Sequence, residues 1–298
     1  MLSVLIPNYN YHPGELLKQL SAESEGLDIP VEILCWDDNS DPSFHRELIA
    51  LSSLPKVELR FLEKNLGRAQ IRNQMAQEAR FPHLLFLDSD GMPLHPDFLA
   101  RYAEHLAAAD VVVGGRKYSA TKPESAHILH WKYGSQREAK WADERNEDPY
   151  FGFQSNNFLI QKESFLSLQF PQSFKGSGHE DTLFGKKLKQ RNLSVTHINN
   201  QTEHRGLEIA EVFIQKSLQA VEQLVKFIYH QELEHKDTRL SDSYWRLKKL
   251  GLLAGVKFVG KNRSKSWMEQ LKNASDPNLK IFDALRLYHY ICETEKLH

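Results

Sequence analysis

The sequence predicts an α/β protein with a mostly parallel central sheet and helices on both faces. Two observations point there. Short apolar runs alternate with helix-patterned stretches at a spacing that suits right-handed strand, helix, strand crossovers. Several of those runs are continuously apolar rather than alternating, as in strands buried on both faces, and they stop at acid-rich, Asn-rich or Gly-rich turns.

In order along the chain, Leu2 to Ile6 is a first strand stopped by Pro7-Asn8-Tyr9-Asn10. A helix follows from about Pro13 to Ala22. Val31 to Trp36 is a second strand, closed by Asp37-Asp38-Asn39-Ser40-Asp41-Pro42. Phe44 to Leu51 has a helical apolar spacing, Val57 to Leu62 alternates as a third strand, and Asn65-Leu66-Gly67-Arg68 opens a helix reaching about Arg80. Leu84 to Leu87 is the central strand, and Asp88-Ser89-Asp90 stands at its carboxyl end before Gly91 and Pro93 stop it. Open α/β sheets bind ligands at that edge.

Asp97 to Ala107 reads as a helix, and Asp110 to Gly115 as a strand and turn. From Arg116 to about Tyr150 the pattern weakens. Trp131, Tyr133 and Trp141 in this irregular segment favour an ordered loop that covers substrate. Asn156 to Ile160 resumes a strand and Lys162 to Leu168 is a short helix. Gly176-Ser177-Gly178-His179-Glu180-Asp181 is a glycine loop entering a helix from Thr182 to Arg191, and Leu193 to Ile198 is a last strand before Glu203-His204-Arg205-Gly206. Beyond residue 207, Ile214, Leu218, Val221, Val225 and Ile228 form the stripe of a long amphipathic helix. The expected division is therefore residues 1–207 as an α/β domain and 208–298 as a helical C-terminal region.

Composition narrows the functions. A formal net charge of -1 over 298 residues supplies no global field for nucleic acid. Cys35 and Cys292, the only cysteines, form neither a disulfide framework nor a metal-ligand spacing, which fits a reducing cytoplasm. MLSVLIPNYN lacks a basic n-region and reads as a strand rather than a signal peptide. No window approaches a membrane-spanning apolar run, so contact with the inner face of a membrane would have to be peripheral.

Two carboxylates as close as Asp88 and Asp90 repel each other. A hard divalent cation removes that repulsion, and Mg²⁺ or Mn²⁺ on one or two carboxylates commonly completes its shell with substrate phosphates and water. An isolated Asp-x-Asp after a strand is more often only a solvated turn or a helix cap, so the other loops decide its meaning.

Those loops carry Pro7-Asn8-Tyr9-Asn10, Trp36-Asp37-Asp38-Asn39-Ser40, Asn65-Leu66-Gly67-Arg68 with Arg72-Asn73, Asp88-Ser89-Asp90 and Gly178-His179-Glu180-Asp181. In this order the set resembles the inverting nucleotide-sugar glycosyltransferases of family 2, which have the GT-A fold, over about residues 1–206. The resemblance implies that Asp90 binds a metal and that Asp88 binds the metal or the ribose, with His204 completing the metal site and Ser89 beside the donor. It also implies that Asp37 and Asp38 grip the nucleotide base. Arg72, with Arg68 one turn before it, contacts base or phosphate, while Pro7 and Tyr9 shape the first loop, where an aromatic ring can stack on the base.

By the same resemblance Asp181 is the general base that inversion by a single displacement requires, and Glu180 holds an acceptor hydroxyl. His179, Asn156 and Asn157 fall on the acceptor side. The implied activity moves a sugar from a nucleoside diphosphate donor, UDP-linked by expectation, to a saccharide or lipid-linked acceptor with Mn²⁺ or Mg²⁺. The enzymatic alternative, a sugar-phosphate nucleotidyltransferase, calls for a Gly-rich basic loop after the first strand, and Pro7-Asn8-Tyr9-Asn10 is not one. A carbohydrate-binding protein that kept the fold and lost activity is the non-catalytic alternative.

Tyr244 to Trp267 lies outside the resemblance and holds seven Lys/Arg and no acid among Leu, Val, Phe and Trp. It leaves two readings open: a membrane-surface segment drawn to anionic lipid, or a helical lobe that closes the acceptor site or forms a homodimer.

Overall fold

A computed structural model describes residues 1–171 and 178–297, so Gly176 and Ser177 of the expected glycine loop lie outside the described residues. From β1 (Leu2–Asn8) the chain passes through α1 (Gly14–Glu25), β2 (Val31–Asp37), α2 (Pro42–Ala50), β3 (Val57–Phe61) and α3 (Arg68–Glu78) to β4 (His83–Leu87). There follow β5 (Gly91–Pro93), α4 (Phe98–Ala103), β6 (Val111–Val113), β7 (Arg116–Lys117), α5 (Ile128–Tyr133) and α6 (Ala142–Asn146). Next come β8 (Asn157–Gln161), α7 (Lys162–Leu168), α8 (Glu180–Gln190), β9 (Val195–His197) and β10 (Thr202–His204). The chain ends in α9 (Ala210–Tyr229), α10 (Arg239–Lys249), α11 (Leu253–Asn273) and α12 (Leu279–Lys296).

The chain forms two compact units. One holds Met1–Ser119, Glu138–Lys175 and Phe184–Gly206; the other holds Ala120–Arg137, Gly176–Leu183 and Leu207–His298. Two segments that precede residue 207, 120–137 and 176–183, belong with the C-terminal helices. Short segments of this kind carry no compositional shift to mark them.

In the first unit the seven-stranded sheet has the order β3-β2-β1-β4-β8-β6-β9. Every pairing is parallel except those of β8, which runs antiparallel to both β4 and β6. Alternate residues feed two cores, as the two-residue strand period requires. Leu5, Leu84, Phe86, Phe158 and Ile160 face one side and Val4, Ile6, Leu85, Leu87 and Leu159 the other. The first side is aromatic: Phe86 stacks on Phe158 at 4.8 Å and Phe170 on Phe184 at 4.6 Å. Each such buried ring or leucine contributes about 1.5–3 kcal/mol by leaving water.

Two expectations are corrected. The helix expected to reach Ala107 ends at Ala103, because the bonds after it tighten to the i→i+3 kind, His105 N–H to Tyr102 C=O and Ala108 N–H to His105 C=O. The segment expected to be irregular, 116–150, contains β7, α5 and α6, each too short to show a period. β7 joins β5 and β10 in a second sheet of order β5-β10-β7 that the sequence pattern does not reveal.

In the second unit, the predicted stripe of α9 is borne out at Ile214, Val221 and Val225, which are buried. Ile214 joins Leu129, Phe213, Leu271, Phe282 and Leu285 in one core, and His130 stacks on Phe213 at 4.3 Å. Glu222 of α9 lies 3.2 Å from His289 of α12, and Lys296 pairs with Glu293 one turn further on; this His/carboxylate group braces the two helices. Among the described residues no helix is long and apolar enough to cross a membrane.

Candidate active site

Parallel strands put their carboxyl ends on one edge. Asn8 and Asp37 are register partners at the ends of β1 and β2, and β4 ends nearby at Leu87. Because β8 is inserted in the opposite sense, its start returns to this edge, where Asp88 N–H donates to Asn156 C=O at 2.9 Å. Pro7 is the penultimate residue of β1, and Tyr9, just beyond it, holds its ring in solvent at 56% exposure.

Asp37 and Asp38 are both buried, and both organise loops. Asp37 accepts from Asn8 Nδ2 at 3.1 Å, Ser40 N–H at 2.9 Å and Ser40 Oγ at 2.6 Å. Asp38 accepts from the N–H groups of Leu66 at 2.7 Å and Gly67 at 2.9 Å, which fixes the start of α3. Gly67 has φ +79°, a conformation that favours glycine. Burial raises the Asp38 pKa; the two N–H bonds oppose the rise, and the charge of Asp37 adds to it.

Arg68 opens α3, and Arg72 is buried one turn later. Arg72 Nη2 donates to Asp88 Oδ1 at 2.5 Å, while its Nε and Nη1 are buried without a hydrogen-bond partner among the described residues. Arg116 approaches the same carboxylate from β7, its Nη2 3.8 Å from Asp88 Oδ2, and its Nη1 donates to Glu138 at 3.0 Å. Burial works against the Arg116 charge, but Tyr118, Glu138 and Asp88 outweigh it, so the group stays cationic. Asp88 is thus already neutralised by two guanidinium groups.

Asp90 differs. Its Oδ1 is shielded from solvent and faces His204 Nδ1 of β10 at 3.4 Å. Burial alone would raise its pKa; the bond and charge of His204, with Arg116 and Arg68, overcome burial and hold it at about 2. An ionised carboxylate facing an imidazole nitrogen fits a divalent cation. Asp90 and Ser89 also line a groove of about 420 Å³ with Tyr11, Glu15 and Arg205.

Asn156 and Asn157 separate in role. Asn156 Oδ1 is buried without a partner among the described residues. Asn157 is completely buried: its Nδ2 donates to Gly115 C=O at 3.0 Å and Asn200 C=O at 2.8 Å, and its Oδ1 accepts from Tyr102 at 2.6 Å. The acceptor contact expected of Asn157 therefore gives way to a structural one, since both its amide protons are committed.

In the second unit, Glu180 and Asp181 begin α8, as a favourable helix dipole allows. Gly178 N–H donates to Glu180 Oε2 at 2.6 Å. Gly178 has φ +117°, and a Cβ there would meet the Ala220 side chain of α9 at 2.3 Å. His179 has φ +66°. Burial pushes its imidazole down to about 4, and the charge of Arg286 adds to the effect against that of Glu180, so the ring is neutral at physiological pH.

The family model of glycosyl transferase family 2 matches residues 3–165, more than half of the 298 residues. The chain belongs to that family. This glycosyltransferase has the GT-A fold, and known structures resemble it at low identity. The mannosyltransferase PcManGT from Pyrobaculum calidifontis, solved with GDP-Man and Mn²⁺, is 14% identical with a TM-score of 0.57, covering 99% of this chain and 86% of its own. Glucosyl-3-phosphoglycerate synthase from Mycobacterium tuberculosis, solved with Mn²⁺, UDP and glucosyl-3-phosphoglycerate, is 18% identical with a TM-score of 0.51, covering 76% and 79%. S. aureus TarS is 16% identical with a TM-score of 0.50; this chain is covered over 99%, and it spans 55% of TarS. No curated protein matches by sequence.

Four residues around Asp88 and Asp90 escape sequence reading. Arg116 sits on a two-residue strand, and Glu138 and Tyr118 support it from a segment without periodicity. Gly206 matters because a Cβ there would stand 2.1 Å from Asp90 Oδ2. The one available sequence signal was the glycine following His204-Arg205.

Proposed function

We propose that this glycosyltransferase is an inverting enzyme that moves a sugar from a UDP-linked donor to a saccharide or lipid-linked acceptor. The observation that carries the reading is the ionised Asp90 carboxylate facing His204 Nδ1 at 3.4 Å at the carboxyl edge of the sheet. Relatives of the same fold solved with Mn²⁺ and a nucleotide or nucleotide sugar support it. Asp90 and His204 would hold Mn²⁺ or Mg²⁺, which when bound supplies positive charge to a departing diphosphate.

The chain's own residues do the rest. The exposed ring of Tyr9 stacks on the base, and the loop organised by Asp37 and Asp38 shapes the base pocket. Arg72, with two unpartnered nitrogens, and Arg116 stabilise the charge that develops on the diphosphate, leaving Asp88 to the ribose. Asp181 takes the proton of the acceptor hydroxyl as that oxygen attacks the anomeric carbon; the bond to the β-phosphate oxygen breaks and UDP leaves from the opposite face. Glu180 holds the acceptor, with His179 as a neutral neighbour. The assignment of Asp181 is supported by its place in Gly178-His179-Glu180-Asp181 at a helix start.

The test is a thermal-shift panel of UDP-, GDP- and dTDP-sugars with and without Mn²⁺. The expected result is a UDP-sugar shift that needs the cation and is lost in Asp90→Ala. Equal shifts without cation, or a larger shift with a GDP-sugar, overturn the reading.

A further inference from the structure

We infer that the turn joining α10 to α11, with the outward face of α11, is a docking surface for an anionic lipid bilayer. This goes beyond the donor site and rests on the proposed function only in giving a lipid-linked acceptor a reason to be met there. At the turn Leu250-Gly251-Leu252, Gly251 has φ +69°, and nothing stands near it. Apolar side chains project into solvent around it: Leu250 is 69% exposed, Leu252 51%, Phe258 70% and Val259 49%. Leu250 and Leu252 flank the turn, and Phe258 and Val259 stand on the first two turns of α11, with Ala254 exposed one turn before Phe258. The other side of α11 is occupied, Gly260 packing so closely on Tyr288 of α12 that a Cβ would meet its ring at 2.3 Å.

Charge surrounds this apolar tip. Between Tyr244 and Trp267 there are seven Lys/Arg and no acid, in a chain whose net charge is -1. Lys257 is paired with Glu295 and Lys248 lies over the Trp245 ring at 4.8 Å. Lys249, Lys261, Arg263 and Lys265 are exposed, and none has an acidic partner among the described residues. Unpaired cations beside solvent-facing Leu and Phe match the two layers of a membrane surface, phosphates outside and acyl chains beneath.

Other occupants fit less well. A second copy docking symmetrically would oppose one cationic patch to its equal, which is repulsive. A nucleic acid backbone would engage the lysines and leave the four large apolar side chains in water.

The experiment is flotation of the full chain with phosphatidylcholine vesicles and with vesicles that also contain phosphatidylglycerol, at about 0.15 M salt and at higher salt. Binding to the anionic vesicles alone, weakened by salt, is expected. Each cation is worth roughly a five-fold change in partition, so a variant carrying Lys249→Glu, Lys261→Glu, Arg263→Glu and Lys265→Glu should lose binding. Leu250→Ser with Phe258→Ser should weaken binding by about ten-fold or more, since each removes a large apolar group from the acyl layer. All these positions are exposed, and far-UV circular dichroism checks that the variants fold. Equal partition to neutral vesicles, no response to either variant, a dimer that dissociates in the Leu250→Ser, Phe258→Ser variant, or salt-steep binding to duplex DNA in place of vesicles overturns the proposal. Mn²⁺-dependent shifts with UDP, measured on the same variants, should be unchanged; their absence from the wild type would fail the donor reading and leave the vesicle result standing.

Discussion

Gly206→Ala tests the proposed metal site with a single methyl group. The added Cβ would lie 2.1 Å from Asp90 Oδ2, 2.9 Å from its Cγ and 3.1 Å from its Cβ. Comfortable heavy-atom contact is about 3.5 Å, so the carboxylate must retreat by roughly 1 Å or more. The backbone cannot follow, because Asp90 C=O is held by Arg205 N–H at 2.8 Å and Gly91 N–H by Asp88 C=O at 3.0 Å. The side chain must therefore rotate away from His204, and Gly206 is outside the left-handed region, so backbone strain adds nothing. Disturbing a metal ligand through its neighbour typically costs about ten- to a hundred-fold in metal affinity, equivalent to ~1.4–2.7 kcal/mol. A Mn²⁺ titration of UDP-dependent thermal stabilisation measures it, with circular dichroism confirming the fold. Wild-type Mn²⁺ affinity in a folded Gly206→Ala protein would refute the assignment of Asp90.

Four further outcomes are expected. Asp181→Asn should lower the transfer rate by about a hundred- to ten-thousand-fold and leave donor KM unchanged, as steady-state kinetics would show. Arg72→Met leaves the Asp88 carboxylate without its closest partner and should cost about 3 kcal/mol in urea unfolding, an unchanged midpoint counting against the pair. Tyr9→Ala should weaken UDP binding by about five-fold in calorimetry while stability moves by less than ~0.5 kcal/mol, the ring being exposed. Burial lifts Glu23 to about 7 despite the N–H groups of Ala100 and Leu99, so folding favours its protonated form; that stability is full below about 4.5 and is lost as pH rises through 7. Glu23→Gln, discounted for partial exposure, should gain ~1–2 kcal/mol at about pH 8 and nothing at about pH 4, measured by chemical denaturation.

The order of strands and helices through β4, and the acids closing β2 and β4, could be read from the chain because apolar period and turn chemistry are local properties. The same locality explains the misses. β5, β7 and β10 span two or three residues each, too few for any period, yet they deliver Arg116 to Asp88 and His204 to Asp90. Asn156 and Asn157 are adjacent and chemically identical, and only their surroundings commit one to the fold and leave the other with an open oxygen.

The sequence by itself determined the fold class, the family and the residue types at the carboxyl edge, since each is written in neighbouring residues. Tertiary structure decided what those residues face: that β8 enters antiparallel between β4 and β6, that Asp37 and Asp38 serve as posts for loops, and that Asp90 faces His204. The reason is physical. Burial and hydrogen-bond completion are set by groups dozens of residues away, and strand order, which brings those groups together, leaves no mark on the local pattern.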